Sequence, residues 1–209
     1  MTQPIRQPIA AAEGAQASAG VTSGIPALLG ATSRHIALLA AWLATGGSLF
    51  MSEALRWTPC VMCWYQRILM YPLALLLAIG ILRRDESLHT YVLPFSIIGA
   101  LMSLYHYLLI KTTIFPPPPC TVGIPCTIDY IDWFGFINVP FMALIAFLII
   151  SVMMVVSMRY TAANAVEVED DDEDAKDQAP APGFALADLS VFGIIGVVVI
   201  SFVAAGSMV

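Results

Sequence analysis

Five stretches of this chain, His35 to Leu55, Trp64 to Leu82, Tyr91 to Ile110, Phe136 to Ser157 and Leu189 to Gly206, are apolar runs of roughly 20 residues each. As a helix, such a run is about 30 Å long, the thickness of a bilayer's hydrocarbon core. Composition excludes a soluble domain, since 59% of residues are hydrophobic, 11% are charged and the mean hydropathy is +0.82. The sequence therefore predicts an all-α integral membrane protein, a four-transmembrane-helix bundle with a fifth, C-terminal transmembrane helix. For that last run, a hydrophobic tail lying on the membrane or buried in a partner is the alternative.

Charge and composition divide the rest. Residues 1–33 are rich in small and polar residues and read as a disordered cytoplasmic tail, without the charged start and apolar core of a signal peptide. The four-helix domain follows over 34–159, then an acidic flexible linker over 160–188, then the fifth span over 189–209. Eight of the 15 acidic residues lie between Glu167 and Asp177, opposed only by Lys176. The segment carries −7 of the net −6, leaving +1 elsewhere, so the acidic balance belongs to one linker and points to no basic substrate or nucleic acid. Arg34, Arg83, Arg84 and Arg159 flank the spans on one side, while Arg56 and Lys111 flank them on the other. The positive-inside rule then places the amino terminus in the cytoplasm.

All four cysteines fall on the outer side in that orientation, as the pairs Cys60/Cys63 and Cys120/Cys126. Pairing with none left over fits an oxidising compartment. Cys63 sits at the start of the second span, where the helix dipole stabilises a thiolate. Arg67, four residues on, shares its helical face and either stabilises an anion beside Cys63 or snorkels to the headgroups. His106, between Tyr105 and Tyr107 in the last turns of the third span, is either an interfacial anchor or part of the same site. Glu53 is an interfacial carboxylate or a partner for Arg56 or Arg67. In the outer loop, Pro116 to Pro119 form a stiff polyproline rod ahead of Cys120, and Gly123 and Pro125 let the chain turn back toward Cys126.

Four thiolates could hold zinc, although the Cys120/Cys126 spacing is unusual for a structural site. Two static disulfides are a second possibility. A disulfide closing only four residues at a helix start removes little chain entropy, so redox exchange suits Cys60/Cys63 better than stapling. Electrons collected from an external dithiol then need an apolar acceptor in the membrane, for which a quinone is the natural candidate.

The run Pro59-Cys60-Val61-Met62-Cys63-Trp64-Tyr65-Gln66-Arg67 opening the second span, Tyr105-His106-Tyr107 ending the third, and the loop Cys120 to Cys126 followed by Thr127 to Phe136 together resemble the DsbB-type disulfide-bond formation proteins, in particular their BdbC-like branch. The resemblance covers roughly Arg34 to Arg159. It implies a membrane thiol oxidoreductase that reoxidises a thioredoxin-like disulfide donor outside the cytoplasm of a bacterium and passes electrons to a quinone, menaquinone or ubiquinone. By that similarity Cys120 is attacked by the partner's thiolate, Cys126 helps resolve the mixed disulfide, and Cys60 and Cys63 carry the electrons inward. Cys63, Arg67 and His106 border the quinone, no metal is involved, and the protein acts as a monomer. A vitamin K epoxide reductase-like enzyme is the competing oxidoreductase reading, but there the Cys-x-x-Cys motif opens the last helix of the bundle, not the second.

Overall fold

In a computed structural model of the chain, the described residues are 24–115, 124–169 and 186–207. They form five helices, α1 (Gly24–Glu53), α2 (Val61–Leu82), α3 (Leu88–Lys111), α4 (Val139–Glu169) and α5 (Leu186–Gly206). Each contains a stretch long and apolar enough to cross a membrane, α5 included. Among the described residues, the nearest approach to a strand is an isolated bridge between Trp133 and Ile137. This is an all-α membrane protein.

The first four helices form a ring in which α1 packs on α2, α2 on α3, α3 on α4 and α4 back on α1, while α5 lies outside it against α1 and α2. Hydrophobic burial does little to drive helix association inside lipid, so contact rests on small residues that let backbones approach. Ala37 and Ala41 of α1 and Ala74 and Ala78 of α2 lie in the core beside Leu38, Leu73 and Leu77. Gly99 of α3 accommodates the fully buried Phe147 ring of α4, which a Cβ there would meet at 2.2 Å. Gly46 of α1 does the same for Phe202 of α5. Ser151 donates to Ser96 at 2.9 Å, a polar bridge between α4 and α3.

Two sequence-based boundaries shift. α1 begins at Gly24, ten residues before the expected end of the tail, and α4 runs to Glu169, ten residues into the expected linker. These extra turns hold each other: Gly30 lies against the Tyr160 ring, and Arg34 donates to Ser157 at 2.9 Å, to Thr161 at 3.5 Å and to the Asp85 carbonyl at 3.2 Å. The remainder of both segments, residues 1–23 and 170–185, lies outside the described residues, as do the polyproline run and Cys120.

At the opposite end, the chain between α1 and α2 turns through Arg56 in the left-handed region (φ 57°), with the Trp57 N–H donating back to the Met51 carbonyl at 3.0 Å. The α3–α4 loop lies over this turn. Trp57 stacks on Tyr130 at 5.2 Å between centroids, and the Tyr130 hydroxyl donates to the Thr58 carbonyl at 3.0 Å. Lys111 at the end of α3 grips Asp129 at 3.1 Å and Asp132 at 2.8 Å. Partly exposed ion pairs contribute only about 0.2–1 kcal/mol each, but here they fix where the loop sits. Asn138 starts α4: its side-chain oxygen accepts from the Phe141 N–H at 3.0 Å while its amide donates to Asp129 at 3.4 Å.

Candidate functional site

Cys60 is the N-cap of α2, in extended backbone, and its sulfur accepts from the Cys63 N–H at 3.4 Å. The Cys60 thiol donates to the Cys63 sulfur across 3.0 Å. That hydrogen bond, with burial added, pushes the Cys60 thiol up to about 12. The pair is thereby asymmetric: Cys60 keeps its proton and Cys63 is the sulfur placed to carry charge.

His106 reaches this pair from α3. One ring nitrogen, Nε2, lies 3.8 Å from the Cys60 sulfur and 3.0 Å from the Cys126 carbonyl oxygen, and the other, Nδ1, lies 3.4 Å from the Gln66 side-chain amide. The ring is only 1% exposed and Gln66 5%. Cys60 and Cys126 meet in a small buried cluster with Leu109, which Met62 and Cys63 border. The loop cysteine and the helix-start pair are thus in one place despite 63 residues of separation between Cys63 and Cys126.

A cavity of about 330 Å³ opens beside them. Its walls come from one face of α1 (Ala44, Gly47, Met51), from α2 (Met70, Tyr71) and from α4 (Val139, Ala143, Ala146). Cys60, Cys63, Gln66, Arg67 and His106 converge on it, and so does Asp129, whose Oδ1 is buried without a hydrogen-bond partner. Arg67 donates to the Ser48 carbonyl at 3.0 Å and to the Ser52 hydroxyl at 3.4 Å, and its guanidinium lies 5.4 Å from the Trp64 ring centroid. It does not pair with Glu53, which is exposed and lies in the separate cleft between α1 and α5.

Cys60, Cys63 and His106 offer three ligand atoms within 4.8 Å of one another, one short of the four of a structural zinc site. The four-cysteine alternative needs Cys120, which lies outside the described residues. Of the residues singled out from the sequence, Cys60, Cys63, Arg67, His106 and Cys126 are brought together, and Glu53 is not. Gln66 and Asp129, present there only within the quoted motifs, and Ser48 and Ser52 were assigned no role in the site. Only Gln66 carried a signal, as an amide in the first turns of an otherwise apolar span.

Protein-family comparison matches residues 31–204 to the family described as Disulfide bond formation protein DsbB. The chain belongs to the DsbB family. Among curated relatives, "Disulfide bond formation protein C" of Bacillus subtilis is 49% identical over 127 residues, covering 58% of this chain and 92% of that protein. "Probable disulfide formation protein C" of Halalkalibacterium halodurans is 46% identical over 127 residues, with coverage of 58% and 93%. "Probable disulfide formation protein C" of Bacillus cereus is 48% identical over 124 residues, with coverage of 57% and 89%. No solved structure matches. Membership in the DsbB family makes the protein a membrane disulfide oxidoreductase and decides against the vitamin K epoxide reductase-like alternative.

Proposed function

We propose that this protein reoxidises a thioredoxin-like dithiol partner on the outer side of a bacterial cell membrane and passes the electrons through two cysteine pairs to a membrane quinone. The observation that carries this reading is the meeting of Cys126, Cys60, Cys63 and His106 beside a cavity that Cys60, Cys63, His106 and Arg67 line.

The partner's thiolate attacks Cys120, breaking Cys120–Cys126 and forming a mixed disulfide, and the partner's second thiol then releases Cys120. The products are the partner's disulfide and two thiols on the loop. The Cys126 thiolate attacks the Cys60 sulfur, and Cys63 leaves as a thiolate. Attack of Cys120 on Cys126 then restores the loop disulfide and leaves the electron pair on Cys60 and Cys63. Burial of Cys60 against Cys126 supports the order of the second exchange, and the Cys60-to-Cys63 hydrogen bond favours Cys63 as the leaving sulfur.

The cavity fits a quinone. Its volume suits a small apolar ligand, its walls are apolar, and a few polar groups converge at one end, among them the unpartnered Asp129 Oδ1. Cys63, Arg67 and His106 would hold the ring, and the bound quinone would supply the acceptor for two electrons and two protons. Arg67 is anchored by Ser48 and Ser52, so its charge is preorganised and needs no rearrangement as negative charge develops beside it. The chain serves as a monomer, with both cysteine pairs outward as the flanking arginines indicate.

Trapping tests the outer half of this path. Supplied to the unmodified protein, a thioredoxin-like partner whose second cysteine is replaced by alanine should attack the Cys120–Cys126 disulfide, release Cys126 as a thiolate and accumulate as a mixed disulfide on Cys120, visible as a band lost on reduction. If no adduct forms with several such partners, and all four cysteines of the unmodified protein stay stably paired, both disulfides are structural.

A further inference from the structure

His106 is buried and held at both ring nitrogens, so its tautomer follows from its neighbours. Nε2 lies 3.0 Å from the main-chain oxygen of Cys126. A carbonyl oxygen can only accept, so Nε2 carries the hydrogen. The group that faces the other ring nitrogen, at 3.4 Å, is the Gln66 side-chain nitrogen, an NH2 that donates. Nδ1 is therefore a lone pair and must accept.

We infer that Gln66 is a positioning residue that locks His106 in the Nε2–H form, and that His106 therefore acts on Cys60 as a hydrogen-bond donor and not as its base. The same Nε2–H that binds the Cys126 carbonyl lies 3.8 Å from the Cys60 sulfur. While the loop is docked, the hydrogen is shared toward the carbonyl. When Cys120 attacks Cys126, the Cys60–Cys126 bond breaks and Cys120–Cys126 forms, leaving the electron pair on the Cys60 sulfur. As the Cys126 backbone shifts in that step, the Nε2–H is free to turn to the new thiolate. The Cys60 proton has its own route, since the Cys60 thiol donates to Cys63 and not to the imidazole. His106 thus assists departure of a thiolate, and Gln66 keeps the ring from presenting a lone pair to that sulfur.

The catalytic consequence rests on the exchange sequence proposed above, whereas the form of the ring does not. The test separates the two by reading the ring in the resting, reduced protein, where no turnover is needed. With three histidines in the chain, 15N labelling and a His106→Asn difference spectrum assign the signals. Wild type should show a protonated, pyrrole-type Nε2 and an unprotonated, pyridine-type Nδ1. Gln66→Glu, which can only accept when ionised, should place a proton on Nδ1, and Gln66→Leu, in which the Cys126 carbonyl alone still favours Nε2–H, should shift the two nitrogen signals toward each other. Transfer of electrons from the loop pair to Cys60/Cys63 in Gln66→Leu should slow about tenfold, the worth of one ordinary hydrogen bond. A protonated Nδ1 in wild type, or a ring signature unchanged in Gln66→Leu, would overturn the assignment. The wild-type spectrum decides it even if a variant fails to fold. Loss of quinone reduction with the wild-type signature intact would count against the electron path and not against the tautomer.

Discussion

Replacing Arg67 with alanine separates the two halves of the reaction. Of the five N–H donors of a guanidinium, two are spent on the Ser48 carbonyl and the Ser52 hydroxyl, leaving three among the groups lining the cavity. An anchored donor of this kind, aimed where charge develops, is worth about 2.7–4 kcal/mol, or roughly 10²- to 10³-fold in rate. Arg67→Ala should therefore slow electron transfer from prereduced protein to a soluble quinone by that factor, read by stopped-flow absorbance. Mixed-disulfide formation at Cys120 should proceed as in the parent, because the loop is held by Trp57, Lys111 and Asn138, none of which touches Arg67. Arg67→Lys keeps the charge but not the fork that reaches both serines, and should fall between the two. Quinone kinetics within about threefold of the parent, or a matching loss of the mixed disulfide, would refute the assignment, since the first leaves no room for an anchored donor of the size cited and the second makes Arg67 a structural strut.

Other expectations follow from single contacts. Cys63→Ala removes the largest cause holding the Cys60 thiol near 12, so the pH midpoint for alkylating Cys60, followed by mass spectrometry, should move down; an unchanged midpoint would mean that burial alone sets it. Gly99→Ala drives a methyl to within 2.2 Å of the buried Phe147 ring and should cost about 1–3 kcal/mol of stability to denaturation in detergent, while Gly193→Ala, with open space around it, should not destabilise the protein. Asp85 is held below the usual carboxylate range by the Tyr91 hydroxyl at 2.7 Å and then by the Ser87 N–H. A depressed folded value contributes stability above the ordinary carboxylate value and loses it as pH falls through the lower one, so Tyr91→Phe should raise the pH at which Asp85 titrates, measured by carboxyl NMR.

The five spans were legible because hydropathy over roughly 20 residues is a local property, and lipid leaves an isolated span little choice but helix. The turns beyond the membrane were not. Residues 24–33 and 160–169 have no span-like composition, and they are helical where Gly30 meets Tyr160 and Arg34 reaches Ser157 and Thr161, contacts that join opposite ends of the sequence. The site divides the same way. Cys60, Cys63 and Arg67 stood out because they follow one another at three and four residues, the spacing of one helical face, and their chemistry is unusual at a membrane surface. Gln66 acquires its role only from a histidine 40 residues away, and Asp129 from a lysine 18 residues away. For Glu53 the sequence left open an interfacial carboxylate or a partner for Arg56 or Arg67, and the rotation of α1, which turns Ser48 and Ser52 toward Arg67 and Glu53 toward α5, removes the Arg67 pairing.

The central claim is that electrons pass from an external dithiol through Cys63 to a quinone. The most direct measurement is quinone reduction by the purified protein, supplied with a reduced thioredoxin-like donor and run beside Cys63→Ser. The account predicts quinone consumption matched mole for mole by donor disulfide, and none in the variant. Equal consumption in Cys63→Ser, or none in the parent across several quinones and donors, would contradict it.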